Sequence, residues 1–186
     1  MVEEKLIYDG YVKIYDVRKE KDGKVIEYTK VHLRGSSCGI VINEEGKMAL
    51  VTQYRPIIGM ETLEVPAGTL DKGISPKEII IEELEEECGI AKEDIISITD
   101  KPVLTYKIIE NMSDGEMHIF LIKVKTRNNK PKEEDDVDEV NFYTLEEIES
   151  LINKRIVTDP KTLISYFLYK DMIKWYYFIF GETPTF

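Results

Sequence analysis

Residues 75–89 read Ser-Pro-Lys-Glu-Ile-Ile-Ile-Glu-Glu-Leu-Glu-Glu-Glu-Cys-Gly, and both ends of a helix are written into them. Ser75 is suited to cap the N-terminus, Pro76 fits the first helical position, and Glu78, three residues after the cap, completes a capping box. Gly89 is placed to stop the helix. The interior is less expected: five glutamates stand between Glu82 and Glu87, interrupted only by Leu84. Like charges three or four residues apart repel on a helix, and the chain already carries a formal net charge of −11.

Turning residues about 100° apart separates the glutamates into two groups. Ile80, Ile81, Leu84 and Cys88 form a broad apolar face. Glu83, Glu86 and Glu87 flank it at i+3 and i+4 spacing, while Glu78, Glu82 and Glu85 point to a third side open to solvent. Carboxylates bordering a buried face need a neutralising cation or raised pKa values. Oxygen-only ligands suit Mg²⁺ or Mn²⁺, and magnesium is commonly held by a few carboxylates together with substrate phosphates. The competing reading is a glutamate-rich stretch that is simply a good helix former with a wet face.

The 186-residue chain is long enough for one domain with a substantial core. No cluster of Lys and Arg supplies the positive patch that nucleic acid requires. The start, MVEEKLIYDG, lacks an apolar signal core, and no apolar run reaches the length of a membrane span, so a cytoplasmic protein without membrane contact is expected. Cys38 and Cys88 are far apart and without metal-ligand spacing. With His32 and His118 the only histidines, catalysis falls most naturally to carboxylates.

Along the chain, residues 6–17 and 24–33 read as alternating strands joined by a turn at Asp22-Gly23. They form an N-terminal β segment within residues 1–37, and a second unit occupies 38–186. Further strands are expected in 38–55, in 60–68, within 95–108 and 117–126, and in a short stretch beginning at Val140. Residues 133–139 read as an acidic loop. Short and long helices are expected at 145–153 and 159–180, giving an α/β (α+β) fold.

The segment beginning at Gly68 resembles the Nudix box, the hallmark of Nudix hydrolases: Gly68, Glu83, Leu84, Glu86, Glu87, Gly89 and Ile90 all match. Two positions depart, Ile74 where an acidic residue is usual and Glu82 where arginine is usual. Gln53–Pro56 and Leu63–Gly68 look like flanking motifs of the branch that hydrolyses ADP-ribose and nucleotide sugars. Ile74 together with residues 86–89 looks closest to UDP-sugar pyrophosphatases.

This resemblance implies an α/β/α sandwich around a mixed sheet, with Mg²⁺ or Mn²⁺ held by Glu83, Glu86, Glu87 and the carbonyl of Ala67. It implies catalytic roles for Glu86 and, in the acidic loop, for Asp136 or Glu134; a charge run of this kind is otherwise a solvated loop. Arg55 and Glu64 become the substrate-binding pair, Arg55 as a phosphate clamp; alternatively Arg55 is a structural arginine paired with Glu64. The implied substrate is a nucleotide sugar, and the implied assembly a homodimer using the N-terminal β segment. A nucleotide- or protein-binding domain that has lost turnover is the alternative raised by Ile74 and Glu82.

Overall fold

The computed structural model describes residues 2–126 and 137–180. Its centre is an eight-stranded mixed sheet, and a separate three-stranded sheet is built from the first strands of the chain. Those first strands are β1 (Val2–Asp9), β2 (Lys13–Lys21) and β3 (Lys24–His32). They form an antiparallel meander.

The expected strand over 6–17 is therefore two strands, broken at Gly10–Val12, where Gly10 donates its N–H to the Val12 carbonyl at 3.2 Å. The alternation on either side of Gly10 belongs to two strands that fold back on each other, which a periodicity count does not distinguish from one. The second turn is as expected: Asp22 and Gly23 both have positive φ, 52° and 72°, as a tight two-residue hairpin requires.

In the large sheet, β4 (Ser36–Ile42), β5 (Met48–Arg55), β6 (Met60–Glu64) and β7 (Ala67–Thr69) are followed by α1 (Pro76–Cys88). Then come β8 (Ile95–Ile98), β9 (Leu104–Lys107), β10 (Glu116–Val124), β11 (Val137–Tyr143), α2 (Leu145–Asn153) and α3 (Pro160–Phe180). The parallel pairing of β4 with β10 makes the sheet mixed. β11 begins at Val137 and pairs with β5, so Val137–Glu139 belong to the sheet rather than to an acidic loop. Buried Val137 anchors that early start, an apolar position that the surrounding charges obscure in the sequence.

Strand periodicity sorts the core into two layers. Ile40, Ile42, Met48, Leu50 and Ile119 face α2 and α3, meeting Ile148, Tyr166 and Tyr169. Val41, Val51, Phe120 and Ile122 face the other way, toward Ile80, Leu84 and Cys88 of α1. The result is an α/β/α sandwich. Strands β4 and β5 pair only at Ile42–Met48; beyond it, β5 pairs with β6 and β4 with β7. This fork carries Ala67 and Gly68 along the inner strand beneath α1.

Both ends of α1 are built as the sequence dictates. The Ser75 Oγ accepts from Glu78 N at 3.2 Å, and the Glu78 carboxylate accepts from Ser75 N at 2.9 Å. Gly89 closes the helix in the left-handed region at φ 62°. The apolar face is shifted by one position from the helical-wheel reading: Ile79 and Ile80 are fully buried, whereas Ile81 is half-buried. Leu84→Ala is accordingly expected to cost about 2–5 kcal/mol in chemical denaturation, and Ile81→Ala clearly less.

Candidate active site

Helix α1 brings its glutamates against the strand that precedes it. Glu87 is buried, and its Oε2 accepts the backbone N–H of Ala67 at 3.0 Å. Burial pushes this carboxyl up, Ala67 pulls it down, and neighbouring Glu83 pushes it up again; Lys161 and Arg55 only partly offset the rise, leaving the group at about 8. Glu83 lies directly over Gly68: a Cβ built there would meet the Glu83 Oε1 at 2.2 Å. Glycine is what allows that carboxylate to lie against the backbone of β7.

Glu86 sits one turn away, half-buried, with its Oε2 3.8 Å from Lys72 Nζ. Lys72 also pairs with Glu82 at 2.8 Å, so the glutamate that replaces the usual arginine shares this cation with Glu86. Glu78, Glu82 and Glu85 are exposed, as the wheel indicates, and Ile74 is half-buried.

The donors around Ala67 and Gly68 are hard oxygens with a buried, only partly compensated carboxyl group among them, a chemistry that fits Mg²⁺ or Mn²⁺. They are not assembled as a cage. Among the described residues no three Asp, Glu, His or Cys side chains converge closely enough to hold an ion. Glu87 turns toward Ala67, Glu83 toward Gly68 and Glu86 toward Lys72. Asp136 and Glu134 lie outside the described residues.

Arg55 and Glu64 do meet. Arg55 Nε and Nη2 donate to the two Glu64 oxygens at 2.8 and 2.5 Å, a two-pronged pair across the β5–β6 hairpin. Glu64 is nevertheless engaged on all sides: Thr62 Oγ1 donates to Oε1 at 2.6 Å, and Lys161 Nζ donates to Oε2. Burial alone would raise this carboxyl, but Arg55, Lys161 and Thr62 outweigh it and hold it down at about 2.

Lys161 belongs to the first turn of α3 and was not singled out by sequence; the Asp-Pro-Lys-Thr run signalled a helix start through Pro160, and nothing local showed that it folds onto β6. Lys161 also forms an ion pair with Asp159 Oδ1 at 3.1 Å, and Thr162 Oγ1 accepts from Val65 N at 2.9 Å. These contacts close one side of a cavity of about 520 Å³. It is lined by Arg55 and Lys161, with Pro56, Ile57, Ile58 and Pro160 as apolar walls.

The family model described as the NUDIX domain matches residues 32–166, a span that holds the sheet fork, the α1 glutamates and the Arg55–Lys161 cavity. The chain belongs to the Nudix family. It is 29% identical over 172 residues to an ADP-ribose pyrophosphatase of Bacillus subtilis (strain 168), covering 90% of this chain and 89% of the relative. It is also 29% identical over 133 residues to a methanol dehydrogenase activator of Bacillus methanolicus, covering 70% of this chain and 69% of the relative.

A third relative, 24% identical over 159 residues, is a CMP-5'-(N-acetyl-N-hydroxy-3-aminopropyl)phosphonate hydrolase of Streptomyces rubellomurinus (strain ATCC 31215); it spans 83% of this chain and 74% of that protein. At this general level the Nudix domain is a hydrolase of pyrophosphate-type bonds in a nucleotide substrate, and Nudix hydrolases generally use a divalent metal. Among the described residues no helix is long and apolar enough to cross a membrane.

The Glu64 hub of this Nudix domain has a measurable pH signature. Its carboxyl is held below the ordinary value of 4.5, so it stabilises the folded state above that pH, and the contribution disappears as pH falls toward 2. Denaturant unfolding between pH 5 and pH 2 is expected to show a loss of about 3 kcal/mol from this group. In Glu64→Gln that part of the slope is absent and stability at pH 7 is lower.

Proposed function

We propose that the protein hydrolyses the pyrophosphate bond of a nucleoside diphosphate sugar of the ADP-ribose or UDP-glucose type, releasing a nucleoside monophosphate and a sugar phosphate. The observation that carries this reading is the placement of buried Glu87 against Ala67 and of half-buried Glu83 against Gly68, with Glu87 within electrostatic reach of Arg55 and Lys161. Acidic groups for a cation and basic groups for phosphate thus stand side by side. The similarity to an ADP-ribose pyrophosphatase supports the same substrate class.

In this proposal Glu83, Glu86, Glu87 and the Ala67 carbonyl hold Mg²⁺ or Mn²⁺. When bound, such an ion offsets phosphate charge and lowers the pKa of a coordinated water. The protein's own groups do the rest. Arg55, fixed by Glu64, presents its remaining N–H groups to phosphate oxygens. Glu86 is the candidate base within the box, and Asp136 or Glu134 are candidates on the acidic stretch. The protein acts in the cytoplasm in this reading.

The assembly we propose is a homodimer through the N-terminal sheet. Leu6, Ile7, Tyr8, Val25 and Tyr28 are all exposed. A small sheet without a covered apolar face is marginal in water. Light scattering is expected to give twice the chain mass, and Ile7→Glu combined with Tyr28→Glu to give the monomer.

A second reading, a Nudix domain that binds nucleotide without turnover, draws on Ile74, Glu82 and the separated carboxylates. One experiment separates the two. Purified protein with Mg²⁺ or Mn²⁺ is offered ADP-ribose, UDP-glucose, GDP-mannose and nucleoside triphosphates, and monophosphate release is measured. Turnover of a diphosphate sugar is expected, reduced by roughly two orders of magnitude or more in Glu83→Gln and Glu87→Gln. Metal-dependent nucleotide binding with no turnover in any arm establishes the second reading instead.

A further inference from the structure

In the cavity between the β5–β6 hairpin and the first turn of α3 the two lining carboxylates are already held by neighbouring donors. Both oxygens of Glu64 are taken by Arg55, Thr62 and Lys161. Asp159 is likewise engaged: Oδ2 accepts from Thr162 N at 2.9 Å and Thr162 Oγ1 at 2.6 Å, and Oδ1 forms an ion pair with Lys161 at 3.1 Å. A lysine ammonium has three N–H groups and a guanidinium five. The hydrogen bond to Glu64 uses one N–H group of Lys161, and those to Glu64 use two of Arg55. Each cation therefore has donor capacity beyond the carboxylates that hold it.

The remaining lining is of another kind. Ile57 is 98% and Ile58 60% exposed at the hairpin tip, next to the rings of Pro56 and Pro160. Exposed apolar side chains on a cavity rim leave contact area for a flat apolar partner. With both Glu64 oxygens taken, sugar hydroxyls meet fewer side-chain acceptors here than phosphate oxygens meet donors. A nucleotide fits both walls, with phosphate oxygens on the donors and the π face of a base on the isoleucines and prolines. The volume of about 520 Å³ lies within the range of small-ligand sites.

We propose that this cavity binds the nucleoside monophosphate half of the substrate, with Lys161 of α3 as a second phosphate-binding cation beside Arg55 and the Ile57–Ile58 tip as the surface that receives the base. The proposal rests on the reading of the protein as a diphosphate-sugar hydrolase. It adds which half of the molecule lies on which wall. It also explains why Glu64 is buried and saturated: it aims two cations carried by distant parts of the chain into one space.

The test is an NMR titration of protein with ¹³C-labelled isoleucine methyls, in Mg²⁺, against AMP and UMP on one side and ribose 5-phosphate and glucose 1-phosphate on the other. The mononucleotides are expected to shift the Ile57 and Ile58 methyl signals and to bind about fivefold or more tightly than the sugar phosphates. Lys161→Met is expected to weaken AMP binding about tenfold, with Lys161→Arg restoring most of it. Because Lys161 is buried, Ile58→Glu on the exposed rim supplies a variant that keeps the fold; it too should weaken AMP binding about tenfold and raise KM with kcat little changed.

Mononucleotide binding that leaves both isoleucine signals unmoved, equal affinity for sugar phosphates, or unaltered AMP binding in folded Ile58→Glu would each overturn the assignment. The two proposals fail separately. Occupation of this cavity by AMP in a protein that hydrolyses no diphosphate sugar removes the enzymatic reading and leaves the cavity standing. Turnover with KM indifferent to Ile58→Glu does the reverse.

Discussion

The hydrogen bond from Ala67 N to Glu87 ties the last turn of α1 to the inner strand of the sheet fork. A carboxylate buried to this degree is costly unless something compensates it, and one backbone N–H does so only in part, which is why its pKa stands near 8. The same contact holds α1 where Glu83 reaches Gly68 without meeting a side chain. The local need for a cation is thus a consequence of packing. An amphipathic helix has been laid on a sheet with acidic residues bordering its buried face.

A second constraint organises the neighbouring space. Glu64 is fixed by strand β6, and it draws Arg55 from the adjacent strand and Lys161 from a helix that begins almost a hundred residues later in the chain. Thr162, bonded to Val65 and Asp159, fixes the same helix end by neutral and charged hydrogen bonds. A buried carboxylate flanked by two cations tolerates no loose geometry, since removal of either partner leaves charge uncompensated. The carboxylates of α1 beside Ala67 and Gly68 and the two cations held by Glu64 consequently occupy adjacent but distinct regions.

Much of this was legible along the chain. Ser75, Pro76, Glu78 and Gly89 mark the ends of α1 because capping is chemistry between residues a few positions apart. The turn at Asp22-Gly23 is readable for the same reason. The break at Gly10 was not, because two strands that fold back on each other carry the same alternation as one. Nor was the start of β11 at Val137: its reason is the partner strand β5, to which it pairs across more than eighty residues. Lys161 escaped notice because its acidic partner Glu64 is remote in sequence, and a lysine near a helix start ordinarily faces water.

By itself the sequence determined the helix that bears Glu83, Glu86 and Glu87, the glycines at both ends of that segment, and the Nudix family to which the chain belongs. All rest on spacing within a short window, where backbone geometry leaves few choices. Only the tertiary structure decided that Glu87 is buried while Glu86 meets Lys72, that Glu64 is saturated, and that Lys161 shares a cavity with Arg55 and the Ile57–Ile58 tip. Burial and charge pairing depend on which distant segments pack together. No periodicity within one segment specifies that.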